Sequence, residues 1–464
     1  MRSLLLKIGV DRSIFLTVTN RIILAFGSLL TIYFISKYLT QAEQGYYYTF
    51  GSLAALQVFF ELGLSIVITQ FVAHEFAFLT LNDKQEIGGS QKHIARLSSL
   101  LHFMIKWYVA GAAILFVLVM PAGFIFFYNS QHTHEIVSWK LPWVVLVFFT
   151  ALNLLISSYV PYLEGLNKIK DVAQFRVVQG LLGLLVLCIC LRLHFGLYSL
   201  GMVAGANFLT LLWWMATNKF KKLFVHLWKQ LSASISISWK KEILPFQWKI
   251  GLSWLSGYFI FQLFNPLIFA FEGPVVAGQL GITLAAFNGI SVIAMAWINT
   301  KIPTFSMQIA KKDYEELDSL FFLTLKQSVG IIIFLVLFFL TVLYLLQSKY
   351  ATLTSIGLRF LPVKSAVVLG VTTIVNQVIF SLASYLRCHK EEPLFICSLV
   401  GAVCTLSCSY FFAKWFGVFG MVLSNGLITL LLGLVWVTII FLNKRKLWHQ
   451  LEVSNKPTEV LLIK

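Results

Sequence analysis

The chain has 464 residues, 58% hydrophobic and only 12% charged, with a mean hydropathy of +0.83. Soluble domains run about half apolar and about a quarter charged, so this composition excludes a soluble enzyme or binding domain. The net charge of +17 would point to nucleic acid in a soluble protein; here its distribution has another meaning.

A helix that crosses about 30 Å of hydrocarbon needs about 20 apolar residues. In chain order, that rule predicts about twelve spans: near 14–36, 46–73, 101–127, 141–160, 177–195, 198–217, 248–271, 275–300, 320–346, 362–386, 393–413 and 418–442. The segment 141–160 fits least well, because it carries Pro142 and Asn153. A transmembrane β-barrel would show short alternating segments, whereas these runs are long and continuous. The first run is as long as a span and has no small-residue cleavage site, so no cleavable signal is read.

With the N-terminus placed in the cytoplasm, the inner segments hold 29 of the 36 Lys and Arg residues. Lys37, Lys140, Arg192, Lys349, Arg359, Lys364 and Lys414 make up the outer 7. This is a strong positive-inside bias, so the basic balance reads as topology and attraction to anionic lipid. The predicted outer segments are no longer than roughly 15 residues, which leaves no outer domain to process a partner.

The six cysteines fall in or beside predicted spans. Cys404 and Cys408 share a helix face, but no His joins them, and they read as small apolar packing residues. No metal or cofactor is expected.

A basic hydrophilic linker at 218–247 divides six spans from six, giving an N-terminal lobe at 1–228, a C-terminal lobe at 229–464 and a cytoplasmic tail at 443–464. The halves echo each other. Phe195-Gly196-Leu197-Tyr198-Ser199-Leu200-Gly201-Met202-Val203, with Asn207 beyond, returns as Phe416-Gly417-Val418-Phe419-Gly420-Met421-Val422, with Asn425 beyond. Arg21 pairs with Lys249 near the start of each half, and Gly45 pairs with Gly278. An even number of spans in each half makes the repeat parallel, related by an axis along the membrane normal.

The run Tyr38-Leu39-Thr40-Gln41-Ala42-Glu43-Gln44-Gly45-Tyr46-Tyr47, followed by Phe60-Glu61-Leu62-Gly63-Leu64 and Ala73, resembles the opening of Wzx-type polysaccharide flippases. These belong to the multidrug/oligosaccharidyl-lipid/polysaccharide exporter superfamily. Ala277-Gly278, Pro303-Thr304-Phe305 and Lys311-Lys312-Asp313 resemble the corresponding region of the second half. The likeness covers essentially the whole chain. One departure is Gln70, where the family often carries a basic residue.

The resemblance implies an all-α, MATE-like polytopic protein with two pseudo-symmetric six-helix bundles. It implies a flippase in the bacterial inner membrane that carries an undecaprenyl-pyrophosphate-linked oligosaccharide, such as an O-antigen repeat unit for lipopolysaccharide, to the outer leaflet. The implied partners are that lipid-linked oligosaccharide, membrane lipids, a polysaccharide polymerase and a chain-length regulator, with no nucleic acid; the chain is read as a monomer.

Several side chains are candidates for chemistry. Arg21 and Lys249 would suit a pyrophosphate if both faced one cavity, since Arg binds such oxygens in a bidentate way; the alternative is that both snorkel to headgroups. Glu61 lies well inside the second span, where an ionisable group is costly and points to function. It reads either as a proton carrier for ion coupling or as a packing partner for Arg21. Arg176 begins the fifth span, and Arg359 and Lys364 break the positive-inside pattern around Pro362; all three are candidate contacts for an anionic head group. Asn376 and Gln377 are candidate sugar contacts, with Trp254 and Tyr258 as stacking platforms. Asn153, Asn207, Gln262, Asn265, Asn288, Asn299 and Asn425 complete the set of intramembrane amides, which either tie helices or line a path.

Two other functions compete. A MATE-type drug or metabolite antiporter would need carboxylates for a cationic substrate, and Glu61 is essentially the only embedded acid. A polysaccharide polymerase or ligase would need catalytic residues in a large outer loop, and His132 and His134 in a short segment do not supply one. No Gly-x-x-x-x-Gly-Lys-Ser/Thr motif occurs, so ATP-driven transport is not expected.

Overall fold

The computed structural model describes residues 27–82, 87–130, 137–230, 237–348, 354–389 and 393–455. Nearly all of them are helical. Contacts gather them into two compact units, Met1–Ile282 and Thr283–Lys464.

The first unit opens with α1 (27–38). Next comes α2 (Gln41–Ala54), whose start is fixed by a capping box. The Thr40 hydroxyl accepts from the Glu43 backbone N–H at 3.1 Å, while the Glu43 carboxylate accepts from the Thr40 N–H at 2.8 Å. Two of the four N–H groups left over at a helix start are thereby satisfied. A short 3-10 turn (Ala55–Gln57) leads into α3 (Val58–Glu61). Leu62 and Gly63 then take left-handed φ values of 50° and 66°, and α4 (Leu64–Phe76) leaves at a bend of 42°.

A small hairpin, β1 (Leu79–Leu81) and β2 (Ile87–Gly89), pairs antiparallel before α5 (Gln91–Asn129). At about 1.5 Å per residue, the 39 residues of α5 outrun the hydrocarbon, so one end projects beyond it. α6 (Lys140–Ser157) has Pro142 in its first turn, where the missing N–H costs nothing. The amide of its Asn153 is also satisfied: it donates to the Phe149 carbonyl at 2.9 Å and to the Ala204 carbonyl at 2.6 Å. α7 (Tyr159–Gly165), α8 (Ile169–Arg192), α9 (Tyr198–Ala216) and α10 (Asn218–Lys229) follow. A five-residue turn (Trp239–Ile243) precedes α11 (Leu244–Phe261) and α12 (Phe264–Glu272).

Gly273, at φ 86°, ends α12, and α13 (Pro274–Lys311) begins on Pro274, where a fixed φ suits a helix start. Its opening turns pack on α2 so closely that glycine is required. A Cβ at Gly45 would collide with the Pro274 carbonyl oxygen, and one at Gly278 would stand 2.8 Å from the Gly45 nitrogen and 3.1 Å from the Gln41 carbonyl. Gly281 likewise faces the Tyr48 ring. Gln41, Gly45 and Tyr48 precede Pro274, Gly278 and Gly281 by the same 233 residues. These contacts are therefore reciprocal, as a local two-fold axis demands.

The second unit contains α14 (Tyr314–Gln347), α15 (Thr354–Gly357), α16 (Val363–Cys388), α17 (Phe395–Ile428) and α18 (Val435–Asn455). Its core gathers Phe305, Leu317, Phe321, Tyr385, Leu386, Phe441 and Trp448. The helical run Phe395–Trp448 has 54 residues, or roughly 80 Å of rise, enough for two crossings. It is broken at Gly417, which has φ 62° and ψ −156°. Gly196 in the first unit has φ 53°. The glycine that opens both copies of the sequence echo is thus left-handed in both.

Among the described residues, nine helices are long and apolar enough to cross a membrane, and the bent pair brings the number to ten. The break at Gly417 separates one more, and the expected span 14–36 begins before the described residues. The chain is an all-α polytopic membrane protein. Residues 443–448, expected within the tail, continue α18, and Trp448 is buried in the core of the second unit.

Gly51, on the same helix as Gly45, has open space where a Cβ would go. Gly45→Ala is expected to lower stability by about 1–3 kcal/mol through overpacking. Gly51→Ala should be neutral or stabilising by up to about 1 kcal/mol from helix propensity. Thermal midpoints of the two purified variants, compared with the parent, check the contrast.

Candidate functional site

The bend after Glu61 creates a site. α3 ends there, and the side chains of Trp107 and Tyr108 on α5 attend to the exposed end. The Trp107 indole donates to the Phe60 carbonyl at 3.1 Å. The Tyr108 hydroxyl lies 3.4 Å from a Glu61 carboxylate oxygen and donates to it. Glu61 then opens onto a cavity of about 340 Å³ within the first unit. Gln57, Glu61 and Ser65 line one wall; Asn153, Leu154 and Ser157 line a second, with Val160 and Pro161 of α7 beside them. Phe175, Arg176 and Gln179 of α8 and Leu211 of α9 complete the lining.

Pro161 stands in the opening turn of α7, just past the junction with α6 at Ser158. The Pro161 carbonyl accepts from the Thr69 hydroxyl at 3.1 Å, which fastens the junction to α4. Gln179 donates to the Asn207 carbonyl at 3.3 Å, so this lining amide is held by α9. Arg176 donates to Glu164 at 2.7 Å, with its side chain 53% exposed. The cavity thus holds a carboxylate from one helix and a guanidinium from another, separated by amides and hydroxyls. Such a lining can pass a proton or a small ion and can hold water.

Three sequence candidates, Glu61, Arg176 and the amide Asn153, line this cavity. The others lie elsewhere. Arg21 falls outside the described residues, as do His132 and His134. Lys249 is exposed, with its ammonium 5.9 Å from the centre of the Trp248 ring. Tyr258 is buried and donates to the Ser52 carbonyl at 3.3 Å, while the Asn265 amide donates to the Ser52 hydroxyl. Tyr258 therefore ties α11 to α2. Trp254 is half-buried on α11.

In the second unit, Lys364 is exposed over the Phe419 ring at 4.4 Å, and Arg359 is half-buried ahead of α16. Asn376 is half-buried. Gln377 is buried and donates to the Ser328 hydroxyl, which in turn donates to the Ala294 carbonyl at 2.8 Å.

Two polar networks were not among the sequence candidates. In the first unit, Glu75 is buried. It accepts from Arg96 Nε at 2.8 Å, His93 Nδ1 lies 2.7 Å away, and Arg96 reaches on to Glu242 at 2.6 Å. Partial burial would raise the Glu242 pKa, but hydrogen bonds from Arg96 and the Ser238 N–H, with the Arg96 charge, outweigh it and hold the carboxyl below its ordinary range. In the second unit, Asp318 accepts from the Tyr385 hydroxyl at 2.8 Å and from Arg445 at 2.7 Å.

The Tyr385 contact of the second network has a counterpart in the first unit. Tyr162, 223 residues before Tyr385, donates to the carbonyl of Leu97 at 3.0 Å, and Leu97 stands 221 residues before Asp318. The shared words Tyr162-Leu163 and Tyr385-Leu386 were the available sequence signal.

Arg96→Gln removes the guanidinium from the buried Glu75 carboxylate, leaving His93 beside it, and is expected to cost about 3–5 kcal/mol, the range for breaking a buried pair. Adding Glu75→Gln should recover much of that loss. Arg176→Gln, which breaks a half-exposed pair, should cost about 0–1 kcal/mol. A double-mutant cycle on the thermal or denaturant stability of the purified protein checks all three.

No family profile matches the chain, and no curated protein matches it. Solved structures do. The chain is similar to a multidrug resistance MATE family transporter of the MOP superfamily in an inward-facing conformation, with a TM-score of 0.66 and 13% identity, over 94% of this chain and 99% of the other. It is similar to the MATE multidrug transporter DinF-BH, with a TM-score of 0.57 and 12% identity, over 93% and 95%. It is also similar to the lipid II flippase MurJ in an inward closed conformation, with a TM-score of 0.55 and 11% identity, over 95% and 92%. At these identities the likeness establishes the fold, which is MATE-like.

Proposed function

We propose that the chain is a flippase that moves a lipid-linked oligosaccharide with an anionic pyrophosphate head group across the bacterial cytoplasmic membrane by alternating access, coupled to an ion. The single observation that carries this reading is the cavity that joins Glu61 to Arg176 among otherwise apolar helices. An acid such as Glu61 within a span is costly unless it has work to do. The cavity of about 340 Å³ is at the small end of ligand pockets. It fits an ion, a proton and its waters, or one small group, better than a whole repeat unit. Glu61 is accordingly assigned to ion coupling. Arg176, Arg21, Lys249, Arg359 and Lys364 are assigned to steering the anionic head group, and the half-buried Asn376 and Trp254 to the sugar path; Gln377 and Tyr258, buried and bonded to neighbouring helices, are withdrawn from it. The fold shared with a lipid II flippase is compatible with a lipid-borne cargo.

A second reading, a MATE-type drug or metabolite antiporter, is favoured by the likeness to multidrug transporters and by the presence of Glu61. The surplus of cations over acids among the candidates speaks for an anionic cargo.

Expression in a flippase-deficient strain separates the two. The parent chain should restore surface glycan and confer no resistance to cationic dyes. Glu61→Gln and Arg21→Ala should each abolish restoration with unchanged abundance in the membrane. Normal surface glycan from both variants removes these residues from the mechanism, and dye resistance without glycan favours the antiporter.

A further inference from the structure

The helix α10 begins directly after a membrane span. α9 ends at Ala216, and only Thr217 separates it from Asn218. The last turns of α9 expose Leu209, Leu212 and Trp213, an apolar surface that belongs against lipid. Twelve residues of α10 rise only about 18 Å, too short to cross. α10 therefore sits at the depth of the headgroups.

Its faces are strongly divided. Phe220, Leu223, Phe224 and Leu227 are buried. Phe220 meets the Trp214 ring at 4.8 Å, and Phe224 meets Tyr159 at 4.9 Å and Tyr162 at 5.6 Å. The core of the first unit uses up that stripe. The remaining face holds exposed Lys221, Lys222 and Lys229, with Val225 and Trp228 each 47% exposed beside them. Trp228 is locked in place by stacking on His102 at 3.8 Å. Among the described residues, no carboxylate lies within ion-pair distance of these three lysines. Glu75 and Glu242, which approach this end of the unit, are engaged by His93 and Arg96. Lys240 and Lys241 are exposed nearby in sequence.

We propose that the outer face of α10 is a docking surface for anionic phospholipid headgroups. The lysines pair with phosphates while Val225 and Trp228 enter the interface between headgroup and acyl chain, as in-plane amphipathic helices do. A purely electrostatic partner such as a nucleic acid or an acidic protein would leave Val225 and Trp228 in water. The exposed apolar residues, Leu209, Leu212 and Trp213 on α9 and Val225 and Trp228 on α10, are what select lipid. The site is independent of whatever solute the chain carries, so its test needs no transport assay.

The full-length protein is assembled in nanodiscs of mixed phosphatidylglycerol and phosphatidylcholine, released, and weighed by native mass spectrometry to count the retained lipids. The variant Lys221→Gln/Lys222→Gln/Lys229→Gln should retain less phosphatidylglycerol, by up to about fivefold per lysine, while phosphatidylcholine is unchanged. The same three changes to Arg should retain the preference. Lys140→Gln/Lys414→Gln, which removes two of the cations that the charge pattern of the sequence assigns to the opposite, outer side, should leave it intact. In the unmutated protein, raising salt before release should displace phosphatidylglycerol, because screening shortens the reach of these charges. This arm needs no variant to fold. Retention that is unchanged in the triple Gln variant overturns the proposal, as does an equal loss in the Lys140/Lys414 variant or a preference insensitive to salt.

Discussion

A backbone N–H or C=O left unpaired in hydrocarbon costs several kcal/mol, and this one constraint governs where the chain is free to bend. Helix breaks must be few and must have their loose ends answered. At Leu62-Gly63 the answer comes from α5, whose Trp107 indole takes the Phe60 carbonyl. At the junction of α6 and α7 the Thr69 hydroxyl adds a tie from α4 to the Pro161 carbonyl. Both breaks open onto the same cavity. The polar side chains gathered there line the place where the helices had to be interrupted.

The same constraint explains the repeat. Gly196 and Gly417 both hold left-handed φ, a region that costs a side-chain-bearing residue about 1–2 kcal/mol and costs glycine nothing. Gly45 and Gly278 are glycine for a different reason, since their helices meet backbone to backbone. Small residues let helices approach this closely where lipid offers no hydrophobic drive to associate. The echo in the sequence therefore records two separate demands, a turn and a close crossing.

Charge follows a parallel rule. Arg176 beside Glu164 is half in solvent, and that pair contributes little to stability. Arg96 between Glu75 and Glu242 ties a span end to the turn before α11, and Glu75 is nearly fully buried. In the second unit, Arg445 of α18 and Tyr385 of α16 converge on Asp318 of α14. Each network fastens the ends of several helices where they emerge from the bilayer. Among the described residues, the exposed lysines of α10 have no such carboxylate partners, which leaves them available to lipid.

The sequence by itself determined the fold class, because apolar length and charge spacing are set by bilayer thickness and by the cost of burying charge, and both are local in the chain. It also identified the paired glycines, Glu61 as an intramembrane acid, and Arg176 as a candidate. Only the tertiary structure decided that Glu61 and Arg176 share a cavity, because that depends on the bend at Leu62-Gly63 and on the side of α8 turned inward. It likewise decided that Tyr258 and Gln377 serve as ties between helices, and that Asn153 reconciles a polar residue with a span. Glu75, Arg96 and Glu242 were legible only as charges near span ends. Their pairing across 146 residues between Arg96 and Glu242 is a matter of which helix ends meet, and periodicity within a helix carries no information about that.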